Sequence, residues 1–334
     1  MLGFVSKTGI AGLTLGGGFG YLTRRFGWTC DTVLGMDIVT ADGTLRRASA
    51  DENPDLFWAL RGGGGNFGIV TSIDYRLFPV GPQIFGGAIA WSADAAPEVL
   101  GLYRELVETA PPETTIVAAL RPAPPAPWLD PAIHRKPMVA LFVCHTGSMS
   151  DVEPLVARIR SIGKPVGDIL QPRSYVSQQA LLDATQPSGR RYYWKSEYLG
   201  SLADGFLSRS IAGTREFASP HSALLIFPLQ GRLNELSDDD GAVGNRDARF
   251  VVNIAGSWET PADDARNIDW TRGLWENLRE FSTGGTYVNF LTEDEPASRV
   301  RSAYGSNYER LAEAKRKWDP ENVFRTNKNI APKG

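Results

Sequence analysis

The chain has 334 residues, of which 42% are hydrophobic and 22% are charged, and its formal net charge at pH 7 is -3. This length exceeds one average domain, so two domains are the natural expectation, and the composition is that of a globular protein with a real core. The weakly acidic balance gives no electrostatic reason to expect nucleic acid or an anionic membrane as a partner. No apolar run approaches membrane-spanning length and no leader pattern is visible, so we expect a cytoplasmic protein.

The cysteines and histidines are scattered along the chain. Cys30 and Cys144 match no metal-binding or redox spacing, so we expect two reduced, partly buried thiols. His134, His145 and His221 include no pair at the spacing of one helical turn, which disfavours a zinc site. We therefore predict no metal centre.

The first elements in the chain alternate with glycine clusters. Gly16-Gly-Gly-Phe-Gly20 is followed by Asp37-Ile-Val-Thr-Ala-Asp-Gly-Thr-Leu-Arg46, which indicates a strand, an Asp-Gly hairpin turn and a second strand. Pro54 suits the first position of a helix that runs to about Leu60. A second cluster, Arg61-Gly-Gly-Gly-Gly-Asn-Phe-Gly68, then leads into a strand of alternating pattern that ends before Pro79.

Both glycine clusters have more than one interpretation. Glycine at this density serves tight turns, or lets backbone N–H groups approach a ligand. A dinucleotide-binding fingerprint is disfavoured for the first cluster, because no strand precedes it and its third glycine is absent. For the second cluster, a flexible loop and a surface that lies against an extended ligand both remain open.

The middle of the chain predicts a sheet with helices. Two segments show helical periodicity, Pro97–Val107 and Asp151–Arg160. Four segments have strand character: Gly86–Trp91, Met138–Cys144, Ala223–Phe227 and Arg249–Ala255. Towards the end, 287–290 is expected to be extended and 307–317 to be a helix that turns Tyr308, Leu311 and Ala312 inward.

Motifs at both ends of the chain occur in an order that points to one enzyme group. The N-terminal motifs are Gly12-Leu-Thr-Leu-Gly-Gly-Gly-Phe-Gly20, Ala41-Asp-Gly43 and Asp55-Leu-Phe-Trp-Ala-Leu-Arg-Gly-Gly-Gly-Gly-Asn-Phe-Gly-Ile-Val-Thr71. The C-terminal motifs are Tyr287-Val-Asn-Phe290, Tyr304-Gly-Ser-Asn-Tyr-Glu-Arg-Leu311, Lys315 and Trp318-Asp-Pro-Glu-Asn-Val-Phe-Arg-Thr-Asn-Lys-Asn-Ile330. Together they resemble the FAD-linked oxidases of the berberine bridge enzyme-like group.

The resemblance implies an α+β protein of the vanillyl-alcohol-oxidase type, also called the PCMH-type FAD-binding fold. Residues 1–82 would form the second subdomain of the FAD-binding domain. Residues 83–283 would form an inserted substrate domain with a large antiparallel sheet flanked by helices. Residues 284–334 would return to the FAD domain, so the tail is expected to pack against the glycine-rich N-terminal part.

The resemblance also implies a cofactor and a mode of binding it. The family's first subdomain, which carries the phosphate loop and the histidyl flavin attachment, has no counterpart in the sequence, and Val5 stands where some members have a cysteinyl attachment. We therefore expect FAD to be bound non-covalently at best. The residues predicted to contact FAD are Ser6, Thr8, Gly9, Gly12, Gly18, Gly20, Gly68, Ile69, Val70, Asn289 and Asn327. The face left by the missing subdomain predicts self-association.

Three residues are candidates for catalysis. Tyr287 belongs to the Tyr-x-Asn-Phe motif that the resemblance places beside the flavin ring, and a tyrosinate is able to act as a base if nearby positive charge lowers its pKa. Packing of an amphipathic side chain is the alternative. Alternation along a strand would put Tyr193 and Lys195 on one face, where they line a substrate cavity or form an ordinary sheet surface. Arg246 is expected to pair with a surface carboxylate rather than with an acidic substrate.

The functional hypothesis is an FAD-dependent oxidase or dehydrogenase. It would remove a hydride from an alcohol, a sugar or a secondary metabolite, and dioxygen or another acceptor would regenerate the flavin. The small-molecule substrate and the electron acceptor are then the partners. The alternative is a truncated, catalytically silent fragment that binds FAD weakly or not at all.

Overall fold

The computed structural model describes residues 2–325 and 328–332, and the chain divides into two compact units. The first unit combines Met1–Pro79, Gly231–Ala248 and Gly284–Gly334, and the second combines Val80–Gln230 and Arg249–Thr283. Residues 231–248 therefore differ from the sequence-based boundaries, which put them in the inserted domain. Hydrogen bonds explain the difference, because the Trp58 indole donates to the Asp238 carbonyl at 2.8 Å and the Arg246 guanidinium binds Asp31 at 2.8 Å.

The first unit is built on a small antiparallel sheet. Its elements up to Pro79 are α1 (Ile10–Leu15), α2 (Thr23–Phe26), β1 (Val33–Val39), β2 (Leu45–Ser49), α3 (Pro54–Leu60) and β3 (Ile69–Tyr75). The strand order is β2-β1-β3, so β3 is an edge strand. The hairpin between β1 and β2 turns at Gly43, whose φ of 76° favours glycine, as the Asp-Gly signal predicts.

The second unit is a large antiparallel sheet whose longer helices cover one face. Its elements are β4 (Gln83–Ser92), α4 (Ala96–Thr109), β5 (Thr114–Pro122), β6 (Pro137–His145), α5 (Met149–Arg160), β7 (Gly167–Asp168), β8 (Gln171–Ser174), α6 (Tyr175–Gln179), β9 (Arg191–Leu199), α7 (Asp204–Gly213), β10 (Ala223–Pro228), β11 (Phe250–Trp258) and α8 (Asp264–Leu278). The strand order is β7-β4-β6-β5-β10-β11-β9, and β8 also pairs with β4. The helices and strands predicted for the middle of the chain are confirmed.

The two faces of this large sheet differ. Alternate residues of each strand point to opposite faces. Residues such as Ile254 on β11 and Leu224 on β10 point to the face that α4, α5, α7 and α8 cover, where they form one apolar core. We call this the helix face. Their neighbours in sequence, such as Asn253 and Leu225, point to the opposite side, which we call the second face.

The tail of the chain completes the core of the first unit with α9 (Ala297–Tyr304) and α10 (Tyr308–Trp318). The Tyr287 hydroxyl binds the Gly18 amide at 3.1 Å, and the Lys315 ammonium binds the Asn66 carbonyl at 2.7 Å. The expected packing of the tail on the glycine-rich part is thus confirmed. Residues 288–290 form a short 3-10 turn rather than the expected extended segment.

Membrane-spanning geometry is absent from the part of the chain that the structure describes. None of its helices combines the length and the apolar character that crossing a lipid bilayer requires.

Candidate active site

The segment before and within α1 leaves backbone open to solvent. Ser6, Thr8, Gly9 and Gly12, all predicted to contact FAD, are exposed. A Cβ atom added at Gly9 or Gly12 would meet nothing within 4 Å, so the protein's own packing does not require glycine at either position. Small residues therefore leave room here for another molecule to approach the main chain.

The later glycines of the same cluster are closed by the protein itself. The Gly18 N–H donates to the Tyr287 hydroxyl, and the Gly20 N–H donates to the Thr23 hydroxyl at 2.7 Å. A Cβ at Gly20 would lie 1.9 Å from the Leu2 carbonyl oxygen. The prediction that Gly18 and Gly20 present their N–H groups to FAD is therefore corrected, because both groups already have acceptors and both residues are buried by the chain.

The second predicted contact region lies at the start of β3. Gly68 is buried with φ 155°, and an added Cβ would lie 2.4 Å from the Val39 carbonyl oxygen, so glycine is needed there for packing. Ile69 follows with 60% of its surface exposed, and Val70 is partly exposed. Because β3 is an edge strand of its sheet, alternate backbone groups of these residues point away from β1 and are available to a polar ligand.

Asn289 connects the tail to the first glycine cluster. Its amide nitrogen donates to the Leu13 carbonyl at 3.3 Å and to the Tyr287 hydroxyl at 2.8 Å. The Thr14 hydroxyl in turn lies 2.7 Å from the Tyr75 hydroxyl at the end of β3. The structure thus brings Asn289, α1 and β3 into one connected set of contacts. Asn327, the remaining predicted FAD contact, lies outside the described residues.

Tyr287 is a buried phenol in an aromatic cluster. Only 2% of its surface is exposed, and its ring lies edge-on to Phe19 at 4.9 Å and stacks on Trp28 at 5.7 Å. Burial raises the pKa of the Tyr287 phenol, and the hydrogen bonds from the Asn289 side chain and the Gly18 amide offset only part of that rise. The role of Tyr287 as a base stays a prediction, and its burial in the aromatic cluster agrees with the packing alternative. The neutral phenol accepts hydrogen bonds from the Gly18 amide and the Asn289 side chain, and so holds the first glycine cluster and the tail together.

Tyr193 and Lys195 share one face of β9, as strand alternation predicts, and that face is the helix face. The Arg272 guanidinium of α8 donates to the Tyr193 hydroxyl at 2.9 Å. The Lys195 ammonium lies 5.2 Å from the centre of the Tyr193 ring and 5.3 Å from that of Trp275. The suggestion that this pair lines a substrate cavity is corrected, because α8 covers both residues. Cation–π contacts there hold the helix on the sheet.

Asn253 on β11 is a candidate that the sequence reasoning missed. It points to the second face, opposite Ser196 of β9 and Leu225 of β10, and only 2% of its surface is exposed. Its side-chain oxygen has no hydrogen-bond partner within the described chain. An unsatisfied buried acceptor is costly, so such a group marks a place where a ligand or water completes the bonding. The signal was available, since Asn253 stands between apolar residues on both sides, Val252 and Ile254, in the middle of β11.

Two further observations limit the chemistry. Arg246, expected near the surface, is buried with Asp31, so it is committed to an internal ion pair. Within residues 2–325 and 328–332, no group of three or more histidine, cysteine or acidic residues is arranged to hold a metal ion.

The chain is similar to known proteins along nearly its whole length. A family model described as an FAD binding domain matches residues 2–49, and one described as berberine and berberine like matches residues 286–331. The uncharacterized FAD-linked oxidoreductase YgaK of Bacillus subtilis is 30% identical over 340 residues, which cover 99% of this chain and 72% of that protein. The (R)-6-hydroxynicotine oxidase of Paenarthrobacter nicotinovorans is 30% identical over 356 residues, with 99% and 72% coverage.

Solved structures agree with the fold. The berberine bridge enzyme-like protein 1 of Physcomitrella patens superposes with a TM-score of 0.86 at 23% identity, covering 100% of this chain and 72% of that one. This likeness extends over both compact units and supports the mixed helix and sheet architecture with its large antiparallel sheet. Taken with the sequence relationships above, it shows that the chain belongs to the berberine bridge enzyme-like family of FAD-linked oxidoreductases.

Proposed function

We propose that the chain is an FAD-dependent oxidase or dehydrogenase that removes a hydride from an alcohol, a sugar or a secondary metabolite. Bound FAD supplies the electron sink, which no side chain provides, and dioxygen or another acceptor takes the electrons onward. The observation that carries the proposal is the exposed backbone at Gly9 and Gly12, in the segment similar to FAD-binding domains. The relative named for (R)-6-hydroxynicotine supports the secondary-metabolite class.

The first unit has residues that suit FAD. The hydroxyls of Ser6 and Thr8 and the exposed main chain at Gly9 and Gly12 are donors of the kind that bind a diphosphate. The exposed edge of β3 adds backbone groups, and the aromatic cluster around Tyr287 makes the adjoining surface rigid. We therefore assign FAD binding to this unit and substrate binding to the second.

The attachment to FAD that this segment offers is non-covalent. Val5, at the position where some family members form a cysteinyl bond, carries no nucleophile. Binding here then depends on hydrogen bonds and shape, and it is reversible.

The second face of the large sheet suits a substrate. The Asn253 amide oxygen is placed to accept a hydrogen bond from a substrate hydroxyl or N–H group, which would satisfy an acceptor that the protein leaves unpaired. Trp194 lies on the same face, two residues before Ser196 along β9. An aromatic side chain beside a buried polar group is a common way to orient a small organic molecule.

The test is FAD titration followed by anaerobic reduction with a panel of alcohols, sugars and cyclic amines. Gly12→Val should weaken FAD binding by about tenfold or more, because the branched side chain fills the open approach to the main chain. Gly101→Val is the matched control, since Gly101 also lies in a helix with nothing within 4 Å of an added Cβ, and it should bind FAD normally.

The same experiment also tests the role of Asn253 in substrate binding. Asn253→Leu should slow flavin reduction by about tenfold or more while FAD affinity stays unchanged, because a buried hydrogen bond to substrate is removed. Equal FAD affinity in Gly12→Val and wild type would contradict the cofactor assignment. Failure of every panel member to reduce bound flavin in the wild type would contradict the proposed reaction.

A further inference from the structure

Three basic residues lie at one end of the large sheet. Arg121 lies at the end of β5, His221 lies just before β10, and Arg190 lies just before β9. Alternation from Ala119 puts Arg121 on the second face. The positive charges of Arg190 and Arg121 both act on the His221 imidazole, and Arg190 also acts on Arg121, so the three groups lie within electrostatic reach of one another. We call these three residues the basic cluster.

Arg121 is a buried cation without a counter-ion. Only 7% of its surface is exposed, and its one hydrogen bond runs from Nε to the Pro122 carbonyl at 3.3 Å. Burial, and then the charge of Arg190, lowers the pKa of Arg121 to about 10, which leaves it charged at neutral pH.

Neighbouring charges do not neutralise the cluster. No ion pair joins Arg121 or Arg190 to a carboxylate in the described parts of the chain. Glu259 is bonded to His221 at 3.0 Å and is 68% exposed at its side chain, so it remains largely solvated. Arg191, next in sequence to Arg190, is already paired with Asp264. A buried guanidinium that keeps its terminal donors unpaired is costly unless an anion completes it.

We propose that the basic cluster binds the carboxylate or phosphate group of an acidic substrate that lies on the second face. The planar fork of Arg121 suits both groups, because each offers two oxygens to parallel N–H donors. Ala119, Leu225 and Asn253 lie in one row across three strands. Arg121 is therefore two strands and two residues away from Asn253, or about 12 Å. This inference rests on the proposed function, since it assumes that Asn253 binds the end of the substrate that is oxidised.

The experiment compares ligands that differ only in the anionic group. Benzyl alcohol is paired with 4-(hydroxymethyl)benzoate, and glucose is paired with glucuronate and with glucose 6-phosphate. Binding to the FAD-loaded chain is measured by calorimetry, and flavin reduction is measured in parallel. We expect at least one acidic member to bind about tenfold or more tightly than its neutral partner, as charge-assisted hydrogen bonds to arginine allow.

The variants are Arg121→Met, which keeps the length of the side chain, and Arg190→Met, which changes a more exposed residue. Both should reduce or remove the acidic preference. Arg191→Met is the matched control, because it removes a charge at the same end of the sheet from an arginine that already has a partner. It should keep the preference. Retention of the full preference in Arg121→Met would overturn the proposal.

Thermal unfolding separates this role from a structural one. If Arg121 is an anion-binding residue, it lowers stability when no anion is bound. The ligand-free Arg121→Met protein should then unfold at the same or a higher temperature than the wild type, and inorganic phosphate should stabilise only the wild type. If Arg121 merely braces the loop after Pro122, the variant should unfold earlier and phosphate should act equally on both, which would overturn the proposal.

The two proposals fail in different ways. Binding of 4-(hydroxymethyl)benzoate or glucuronate that depends on Arg121, without flavin reduction by any ligand, would uphold the basic cluster and contradict the oxidoreductase assignment. Reduction by neutral ligands with no acidic preference would uphold the oxidoreductase and contradict the basic cluster. If only glucose 6-phosphate shows the preference, the anionic group is a phosphate rather than a carboxylate.

Discussion

The Asn289 side chain lies so close to the backbone of Gly16 that no side chain fits at position 16. An added Cβ atom there would lie 2.1 Å from the Asn289 side-chain oxygen. The same amide binds the Leu13 carbonyl and the Tyr287 hydroxyl, which fixes its orientation. The Asn289 side chain from the tail therefore explains why position 16, more than two hundred residues earlier in the chain, is a glycine.

Gly16→Ala is expected to destabilise the protein by about 1–3 kcal/mol, as overpacking in a closed site does. The backbone at Gly16 has φ -95° and ψ 18°, which alanine tolerates, so the clash is the only cause. Gly12→Ala is the control. It lies in α1 with nothing near an added Cβ, and alanine there should stabilise by about 0.5–1 kcal/mol. Urea unfolding measures both, and equal effects would contradict the steric explanation.

Tyr287→Phe should lower the free energy of unfolding by about 1–3 kcal/mol, because the buried Gly18 N–H loses its acceptor. Tyr192→Phe is the control, since its hydroxyl bonds the Pro187 carbonyl in a partly exposed position and its loss should matter less. The measurement is chemical denaturation at neutral pH. A Tyr287→Phe protein as stable as the wild type would show that the phenol does not hold the two segments together.

The raised pKa of Tyr287 gives a separate expectation at alkaline pH. A phenol whose pKa is higher in the folded state than in the unfolded state contributes stability below pH of about 10, and this contribution is lost as the pH rises further. The difference in stability between wild type and Tyr287→Phe should therefore shrink above that pH. A difference that grows with pH would mean that the folded protein favours the tyrosinate after all.

Local signals in the sequence were enough for much of the fold. The Asp42-Gly43 pair predicted the hairpin, because only a short list of residues accepts its positive φ. Alternation along β9 correctly put Tyr193 and Lys195 on one side. These features depend on neighbours along the chain, so the sequence carries them directly.

Features that depend on distant packing could not be read in the same way. Alternation cannot say which face of β9 a helix covers, and α8 decides that for Lys195. The N–H of Gly18 is unavailable because Tyr287 accepts from it, a contact across 269 positions. Arg246 is buried because Asp31 folds against it. In each case the partner comes from another part of the chain, and its position follows only from the assembled core.

Lys315 and Asp319 form a buried ion pair whose loss should be costly. The Lys315 ammonium donates to Asp319 at 2.5 Å and to the carbonyls of Asn66 and Phe324, each at 2.7 Å. Lys315→Met leaves a buried carboxylate, the buried Asn66 carbonyl and the partly buried Phe324 carbonyl without this donor, and we expect a loss of about 3–5 kcal/mol. Lys317→Met, which breaks an exposed pair with Asp55, should lose less than about 1 kcal/mol.

Thermal and urea unfolding measure this difference, and a double variant sharpens it. Lys315→Met with Asp319→Asn removes both charges, so it should recover part of the stability lost in Lys315→Met alone. Equal stability of Lys315→Met and Lys317→Met would contradict the view that this pair anchors the tail to the second glycine cluster.

His221 should make stability fall as the pH drops below neutrality. Burial, and then the positive charge of Arg190, lowers the pKa of the His221 imidazole, and the hydrogen bond to Glu259 restores only part of it. The unfolded chain, where the imidazole pKa is about 6.5, therefore binds a proton before the folded chain does. The stability that His221 contributes is present above that pH and is lost as the pH falls through the folded-state pKa.

Two variants test the direction of this pKa shift, and titration of the imidazole by NMR measures the His221 pKa directly. His221→Gln should reduce the fall in stability between about pH 7 and pH 5, since the group that titrates there is removed. Arg190→Met should raise the His221 pKa, because a nearby positive charge no longer opposes protonation. A bound carboxylate at the basic cluster should raise it in the same way in the wild type. A His221 pKa above the ordinary value in the ligand-free wild type, or one that ignores Arg190→Met, would contradict the electrostatic picture on which the basic cluster depends.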